Sequence, residues 1–412
     1  MKTYGCIGKK LTHSFSKEIH AKLADYPYEL IELSEEEVKE FFLKKEFRAV
    51  NVTIPYKETV IAYLDEVSEI ANKIGAVNTV VNRDGKLYGY NTDYYGMKGL
   101  VEKNGISLVG KKVLILGTGG TGKTAQVLAK DLGAATVLNV SRSAKENCIT
   151  YQDATTLHRD AQMIINTTPV GMYPDCEGKP IDISLFGNLE GVIDVVYNPL
   201  CTNLVLDAKQ RGIKAEGGLY MLVMQAVVAV EKFLDIKIPK ETAGQVFRSV
   251  LSKKENIVLT GMPGSGKSTV GKLLHIDGFT FVDTDAEIEK RCGTSIKELI
   301  PEKGESYFRD LETQVIREVS SQNGCVISTG GGAILRKENV NCLKRNGKLY
   351  FIDADLKRLQ ATSDRPLSDT GEKLKKLYSE RIAIYRETAD VVILDMDSPR
   401  AVAEAILQKR ME

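Results

Sequence analysis

A chain of 412 residues, 43% apolar and 27% charged, has the make-up of a globular protein too long for one ordinary domain, so two or three domains are expected. A net charge of +1, with neither half strongly basic or acidic, argues against nucleic acid or an acidic membrane as the main partner and for small ligands. Seven scattered cysteines without a C-x-x-C pair, and only four histidines, argue against a disulfide frame, a zinc site or a histidine-rich metal centre. The first residues, Met1 to Gly8, hold no apolar leader, and the longest apolar run, near 220–230, contains Gln225 and is too short to span a bilayer. The expectation is a cytoplasmic protein, monomeric or homodimeric, with no obligatory protein partner.

In chain order, apolar periodicity predicts strands at 4–8 and 49–54 and amphipathic helices over 34–45 and 57–73. Strands at 112–116, 136–140, 163–166 and 192–196 read as a parallel set whose ends are turn residues able to line a crevice. Helices are expected over 219–234 and 241–251, then a short charged joint at 252–255. From Asn256 a fresh strand–loop–helix unit begins, with strands at 257–260, 279–283, 325–328, 348–352 and 391–394.

The pattern G-x-x-x-x-G-K-[ST] occurs twice, from Gly117 to Thr124 and from Gly261 to Ser268, each time after an apolar run. Such a glycine turn between strand and helix lets backbone N–H groups close on phosphate oxygens, with the helix N-terminus adding favourable potential. The first loop also satisfies G-x-G-x-x-G through Gly117, Gly119 and Gly122. The next predicted strand ends in Ser141-Arg142-Ser143 and not in the acidic residue that would hold the ribose of NAD; arginine suits a 2′-phosphate. NADP(H) is therefore expected on Gly117, Gly119, Gly120, Thr121, Gly122, Ser141 and Arg142, with Lys123 and Thr124 incidental or touching phosphate. The second loop is followed by Asp283 and Asp285, which period-two geometry aims at one side of a strand end. That arrangement suits ATP on Gly264, Ser265, Gly266, Lys267, Ser268 and Thr269. The Ser268 hydroxyl would ligate Mg²⁺, with one of the two carboxylates near the metal and the other near an acceptor hydroxyl.

Further motifs flank the first loop: Gly8 with His13, Ser14 and Ser16; Asn51 to Lys57; Gly75 to Thr79; Asn91-Thr92-Asp93; Asn166 to Met172; Asp194 to Pro199; and Gly218 to Gln225. In this order they resemble shikimate dehydrogenase over residues 1–251. The resemblance implies a two-lobed α/β protein, with a substrate lobe of 1–97 plus 219–251 and a Rossmann-like NADP lobe of 98–218. It implies Lys57 and Asp93 as the catalytic pair for reducing the ketone of 3-dehydroshikimate. Ser14, Ser16 and Tyr197 would hold the substrate carboxylate, Thr53, Asn78, Asp93 and Gln225 the ring hydroxyls, and Gly218 and Met221 would lie beside the cofactor. Lys17 stands where the family commonly has proline, and Tyr220 where it commonly has glycine.

After the second loop come Glu302 to Arg309, Ser328 to Ala333, Asp364-Arg365-Pro366-Leu367 and Arg381 to Tyr385. With the loop and its two aspartates they resemble shikimate kinase over 256–412, a P-loop α/β domain like the nucleoside-monophosphate kinases. By that resemblance Arg309 and Arg381 would grip the shikimate carboxylate, bidentate guanidinium geometry being suited to it. Gly331 and Gly332 would let the ring approach, Asp285 would position the attacking hydroxyl, and Asp283 would hold Mg²⁺ with Ser268. Lys267 and Arg365, the latter in a closing lid, would stabilise the phosphoryl group, and Arg358 would stack on adenine. Both resemblances meet on one metabolite, so the expectation is a bifunctional enzyme: NADPH-dependent reduction of 3-dehydroshikimate, then ATP-dependent phosphorylation of shikimate. Two alternatives stay open, a dehydrogenase also acting on quinate and a nucleotide-sensing regulator without turnover.

Overall fold

Wherever a run such as Val113-Leu114-Ile115-Leu116 is apolar at every position, both faces of the strand must be covered, and all four side chains are fully buried. Three sheets are built around strands of this kind. The computed structural model describes residues 3–11, 15–143, 145–359, 370–394 and 396–411. The chain divides into two units, Met1–Val250 and Leu251–Glu412.

The first unit holds two sheets. One consists of β1 (Thr3–Gly8), β2 (Tyr28–Glu32), β3 (Phe47–Val52), β4 (Glu66–Val67), β5 (Thr79–Arg83) and β6 (Lys86–Tyr90), in the order β2-β1-β3-β5-β6-β4. Strand β1 pairs in parallel with β2 and β3, while β3–β5 and β5–β6 are antiparallel. The other sheet consists of β7 (Lys112–Leu116), β8 (Thr136–Ser141), β9 (Cys148–Thr150), β10 (Met163–Asn166), β11 (Gly191–Asp194) and β12 (Lys214–Glu216). It is parallel throughout, in the order β12-β11-β10-β7-β8-β9. That order reverses direction at β7, the switch point outside which a doubly wound sheet binds its ligand. The second unit has one parallel sheet of β13 (Asn256–Thr260), β14 (Thr280–Asp283), β15 (Cys325–Ser328), β16 (Gly347–Asp353) and β17 (Val391–Leu394), ordered β14-β15-β13-β16-β17.

Two expectations fail locally. Residues 57–73 do not form one helix: a 3₁₀ turn at Thr59–Tyr63 leads to β4 and then to a helix at Glu69–Ile74. The Asp65 carboxylate accepts the Leu87 N–H at 2.7 Å, which draws the chain beside β6, and Ser68 restarts a helix by accepting the Ala71 N–H. The charged joint at 252–255 is not a loop either; the Lys240–Lys254 helix runs through most of it. Among the described residues no helix is long and apolar enough to cross a membrane.

In the first unit the Asp93–Lys103 and Leu219–Leu234 helices bind the two sheets together. Met97, Leu100 and Met221 pack with Ile115, Ile165 and Ile193 of the second sheet, and Ala229 and Phe233 pack with Ala49 and Val81 of the first. The helices meet at Gly96, where a Cβ would lie 2.6 Å from the Met221 carbonyl and 3.0 Å from the Gln225 Cβ. We therefore expect Gly96→Ala to destabilise this unit by about 1–3 kcal/mol in urea unfolding, since the strain falls on backbone. It should also weaken whatever Gln225 binds. Gly99→Ala, whose nearest neighbour is the flexible Met224 side chain at 3.1 Å, should instead be neutral or gain up to about 1 kcal/mol of helix propensity.

Candidate active sites

The two glycine loops match one pattern and fold differently. Gly117 follows β7 with a φ of 105°, and the helix Gly120–Asp131 begins at once, with Gly119 as its cap. Lys123 and Thr124 thus lie inside the helix and not at its mouth. Lys123 Nζ pairs with Glu58 at 2.7 Å, and the buried Thr124 hydroxyl donates to the Gly120 carbonyl at 3.0 Å. In the second loop the helix Lys267–Leu273 starts three residues later in the pattern, capped by Gly266 at a φ of 84°. Gly264 and Gly266 both stand at positive φ, 85° and 84°, which holds the loop out of helical conformation until Lys267. Lys267 is the first helical residue, and its Nζ donates to the Gly261 and Met262 carbonyls, each at 2.9 Å. The Ser268 hydroxyl donates to Asp283 Oδ2 at 2.5 Å. A lysine resting on loop carbonyls beside a serine–aspartate pair is a donor set that fits a polyphosphate with its Mg²⁺.

Around the first loop, a Cβ on Gly122 would meet the Gly117 carbonyl at 2.5 Å, so only glycine lets this helix sit so close to the strand end. Strand β8 ends at the buried Ser141, and Arg142 follows it into solvent. Lys145, not singled out in the sequence, donates to Thr118 Oγ1 at 3.0 Å and brings a second cation to the loop. The acidic end of β11 is taken up within the protein. Asp194 accepts from Asn166 at 2.9 Å, from the Val196 N–H at 3.0 Å and from Thr202 at 2.6 Å, and burial pushes its pKa up to about 6.

Beside this loop lies an ion pair. Lys57 Nζ and Asp93 Oδ2 are 2.6 Å apart, with side chains only 13% and 10% exposed. Asp93 opens the Asp93–Lys103 helix, whose N-terminal potential favours its charge. Asn78 donates to Asp93 Oδ1 at 2.9 Å and accepts the Thr92 N–H at 2.7 Å, which fixes the direction of its amide. A Cβ on Gly120 would lie 3.5 Å from the Lys57 side chain, so the ion pair and the start of the loop helix adjoin. Gln225 is buried, its amide donating to the Leu222 carbonyl at 2.9 Å and its oxygen 3.4 Å from Thr92 Oγ1. Thr53 follows β3, where its N–H donates to the Ile7 carbonyl at 3.0 Å. Tyr197, its pKa raised to about 12 by burial, packs on Phe15 at 5.3 Å, next to the buried Ser16. Gly218 caps the Leu219–Leu234 helix, and Met221 is buried in the apolar cluster beneath it. Ser14 lies outside the described residues.

In the second unit a cleft of about 630 Å³ gathers nearly every residue singled out there: Gly264, Gly266, Lys267, Ser268 and Thr269 of the loop, Asp283, Asp285, Arg309, Gly331, Gly332, Arg358 and Arg381. Ser265 is in the loop but does not line the cleft; its buried hydroxyl finds no partner among the described residues. Arg365 lies outside those residues. Asp285 is raised to about pKa 7, first by burial and then by the charges of Glu312 and Asp283, against the pull of Lys267 and Arg309. Its Oδ1 also has no hydrogen-bond partner among the described residues.

Arg309 and Arg381 are 8% and 5% exposed. Burial and the nearby Arg309 charge both push the Arg381 pKa down. Arg381 makes no ion pair among the described residues, and a desolvated cation facing a cleft suits an anion. Arg309 is held by Glu312 at 2.8 Å and Glu305 at 3.2 Å, and Arg381 by the Gly331 carbonyl at 3.0 Å. Glu312, which the sequence reading missed, stands three residues after Arg309 on the Glu305–Ser320 helix, the spacing of an ion pair. A Cβ on Gly332 would collide with the Arg309 guanidinium, and one on Gly331 would come within 2.8 Å of Pro263. Arg358 donates to the Met396 carbonyl at 2.9 Å.

Fold and site together define a dehydrogenase with a Rossmann nucleotide lobe, joined to a P-loop phosphotransferase. A family model described as the shikimate dehydrogenase substrate binding domain matches residues 6–80, and one described as shikimate kinase matches residues 263–410. A shikimate dehydrogenase (NADP(+)) of Clostridium beijerinckii is 39% identical over 248 residues, covering 56% of this chain and 91% of the relative. One from Methanococcus maripaludis is 39% identical over 260 residues, or 57% of this chain and 93% of the relative. Among solved structures, shikimate dehydrogenase 1 of Peptoclostridium difficile aligns with a TM-score of 0.57 at 34% identity, covering 61% of this chain and 98% of that one. The Thermus thermophilus shikimate 5-dehydrogenase, solved with NADP(H) and shikimate, aligns at 0.54 and 30% identity, covering 60% and 99%. The chain belongs to the shikimate dehydrogenase family, and its second half carries a shikimate kinase domain. It is a bifunctional enzyme of the shikimate pathway.

The raised pKa of Asp285 predicts a pH dependence on two readouts. If the carboxylate accepts the substrate proton, kcat/KM for phosphorylation falls about tenfold per pH unit below about pH 7, and Asp285→Asn loses that limb with most of the rate. A carboxyl whose folded pKa lies above its unfolded one stabilises the fold below the unfolded pKa and loses that contribution as pH rises through about 7. Thermal unfolding should therefore find Asp285→Asn more stable than wild type in alkaline buffer, with the gap closing toward acid pH.

Proposed function

We propose that the first half reduces 3-dehydroshikimate with NADPH through Lys57 and Asp93, and that the second half phosphorylates the resulting shikimate through Asp285, Lys267, Arg309 and Arg381. What carries the reading is that the Lys57–Asp93 pair adjoins the start of the nucleotide-loop helix, so proton donor and nucleotide sit together. NADPH, when bound, supplies the hydride that makes the ketone carbon tetrahedral. Lys57 meets the oxygen on which charge develops and donates to it, while Asp93 keeps the ammonium aimed and accepts from a ring hydroxyl. Asn78 holds Asp93 and presents its own amide to the ring. Ser14, Ser16 and Tyr197 bind the carboxylate, with Thr53 and Gln225 on the remaining hydroxyls. Arg142 and Lys145 supply positive charge for the extra phosphate of NADP.

In the kinase half, ATP with Mg²⁺ supplies the phosphoryl group. Ser268 and Asp283 hold the metal, and Lys267 leaves its loop carbonyls for the phosphates. Arg309 and Arg381 fix the shikimate carboxylate, and Asp285 orients the hydroxyl and takes its proton as its oxygen bonds to the γ-phosphorus and the bond to the leaving ADP breaks. Gly331 and Gly332 leave the room this needs.

The two chemistries use separate residues. Lys57→Ala should cut NADPH oxidation by 3-dehydroshikimate at least about a hundredfold, the ordinary share of a general acid. Shikimate phosphorylation by the same preparation should be unchanged. A parallel collapse of the kinase in a folded variant would contradict this division of labour, and an undiminished redox rate would remove Lys57 from the mechanism.

A further inference from the structure

Tyr385 lies on the Gly371–Thr388 helix, one turn after Arg381, and is fully buried with its ring stacked on Phe351 at 5.0 Å. Its hydroxyl stands between two backbone carbonyls, 2.8 Å from that of Gly261 and 2.5 Å from that of Gly331. Each carbonyl has a second donor. Lys267 Nζ reaches Gly261 at 2.9 Å, and Arg381 Nη1 reaches Gly331 at 3.0 Å. A continuous line thus runs from the lysine of the nucleotide loop, through Gly261, Tyr385 and Gly331, to an arginine of the acceptor subsite. A phenol has one proton and here two acceptors. Burial raises its pKa, so it stays a phenol.

We infer that Tyr385 is a positioning residue that couples the nucleotide subsite to the acceptor subsite of the kinase. When Lys267 turns to a phosphate, the Gly261 carbonyl loses a donor, and the Tyr385 proton shifts toward it. The Gly331 carbonyl is then left to Arg381, which is pinned at the cleft where the substrate carboxylate binds. Run in reverse, a carboxylate that fixes Arg381 on Gly331 leaves the Tyr385 proton to Gly261, and Lys267 is released to a phosphate. Coupling through one shared proton is reciprocal, so each ligand must change the affinity for the other by the same factor. The inference rests on the kinase reading, but fails separately from it.

The test is Tyr385→Phe, which keeps the ring on Phe351 and leaves each carbonyl its other donor, so the fold should survive; an unchanged unfolding midpoint checks this. Shikimate is titrated calorimetrically into wild type and variant, with and without saturating Mg²⁺ and a non-hydrolysable ATP analogue. In wild type the nucleotide should lower the shikimate Kd at least about fivefold, the lower end of ordinary site coupling. In the variant the two Kd values should agree. A wild-type ratio of one, or an equal ratio in the variant, overturns the inference. If shikimate is not phosphorylated at all, it is the kinase reading that has failed.

Discussion

Charge held next to bare backbone at the ends of parallel strands is the constraint on which both halves depend. A buried ion is costly unless paired or hydrogen-bonded, and here most are provided for. Lys57 has Asp93, Asp93 also has Asn78, Asp194 has three donors, and Arg309 has Glu312. Lys267 leans on carbonyls that glycine turns leave accessible. Asp285 is the exception. Buried, crowded by Glu312 and Asp283 and short of donors, it is raised to about pKa 7, an imbalance that suits the proton acceptor proposed above.

The same constraint explains how one glycine pattern serves two nucleotides. What matters is where the helix begins. Starting at Gly120, it carries Lys123 away to Glu58 and buries Thr124, leaving backbone and the cations after β8 to meet a dinucleotide. Starting at Lys267, it leaves lysine and serine at the mouth, with Asp283 opposite. On the function proposed above, three residues of helix separate a dinucleotide loop from a polyphosphate loop.

Much of this was legible in the sequence. The buried parallel strands β7, β10, β13 and β15 each centre on an unbroken apolar run of three or four residues, which reads as a strand. Edge strands such as β2 and β12, polar and half-exposed, carry no such signal. The expected helix over 57–73 fails because a tertiary bond from Asp65 to Leu87 outweighs local periodicity. That Asp283 and Asp285 face one cleft was legible from their spacing. Glu312 and Lys145 were not, because an acid on a helix and a lysine in a loop are ordinary until their partners, Arg309 and Thr118, are brought to them.

The account turns on the two loops holding different nucleotides, and calorimetric titration of NADPH and of Mg²⁺ with an ATP analogue into Lys123→Met and Lys267→Met tests it directly. Lys267→Met should lose the ATP analogue and keep NADPH, while Lys123→Met should bind the ATP analogue as wild type does. ATP-analogue binding that survives Lys267→Met but is lost in Lys123→Met would place the polyphosphate on the wrong loop and contradict the account.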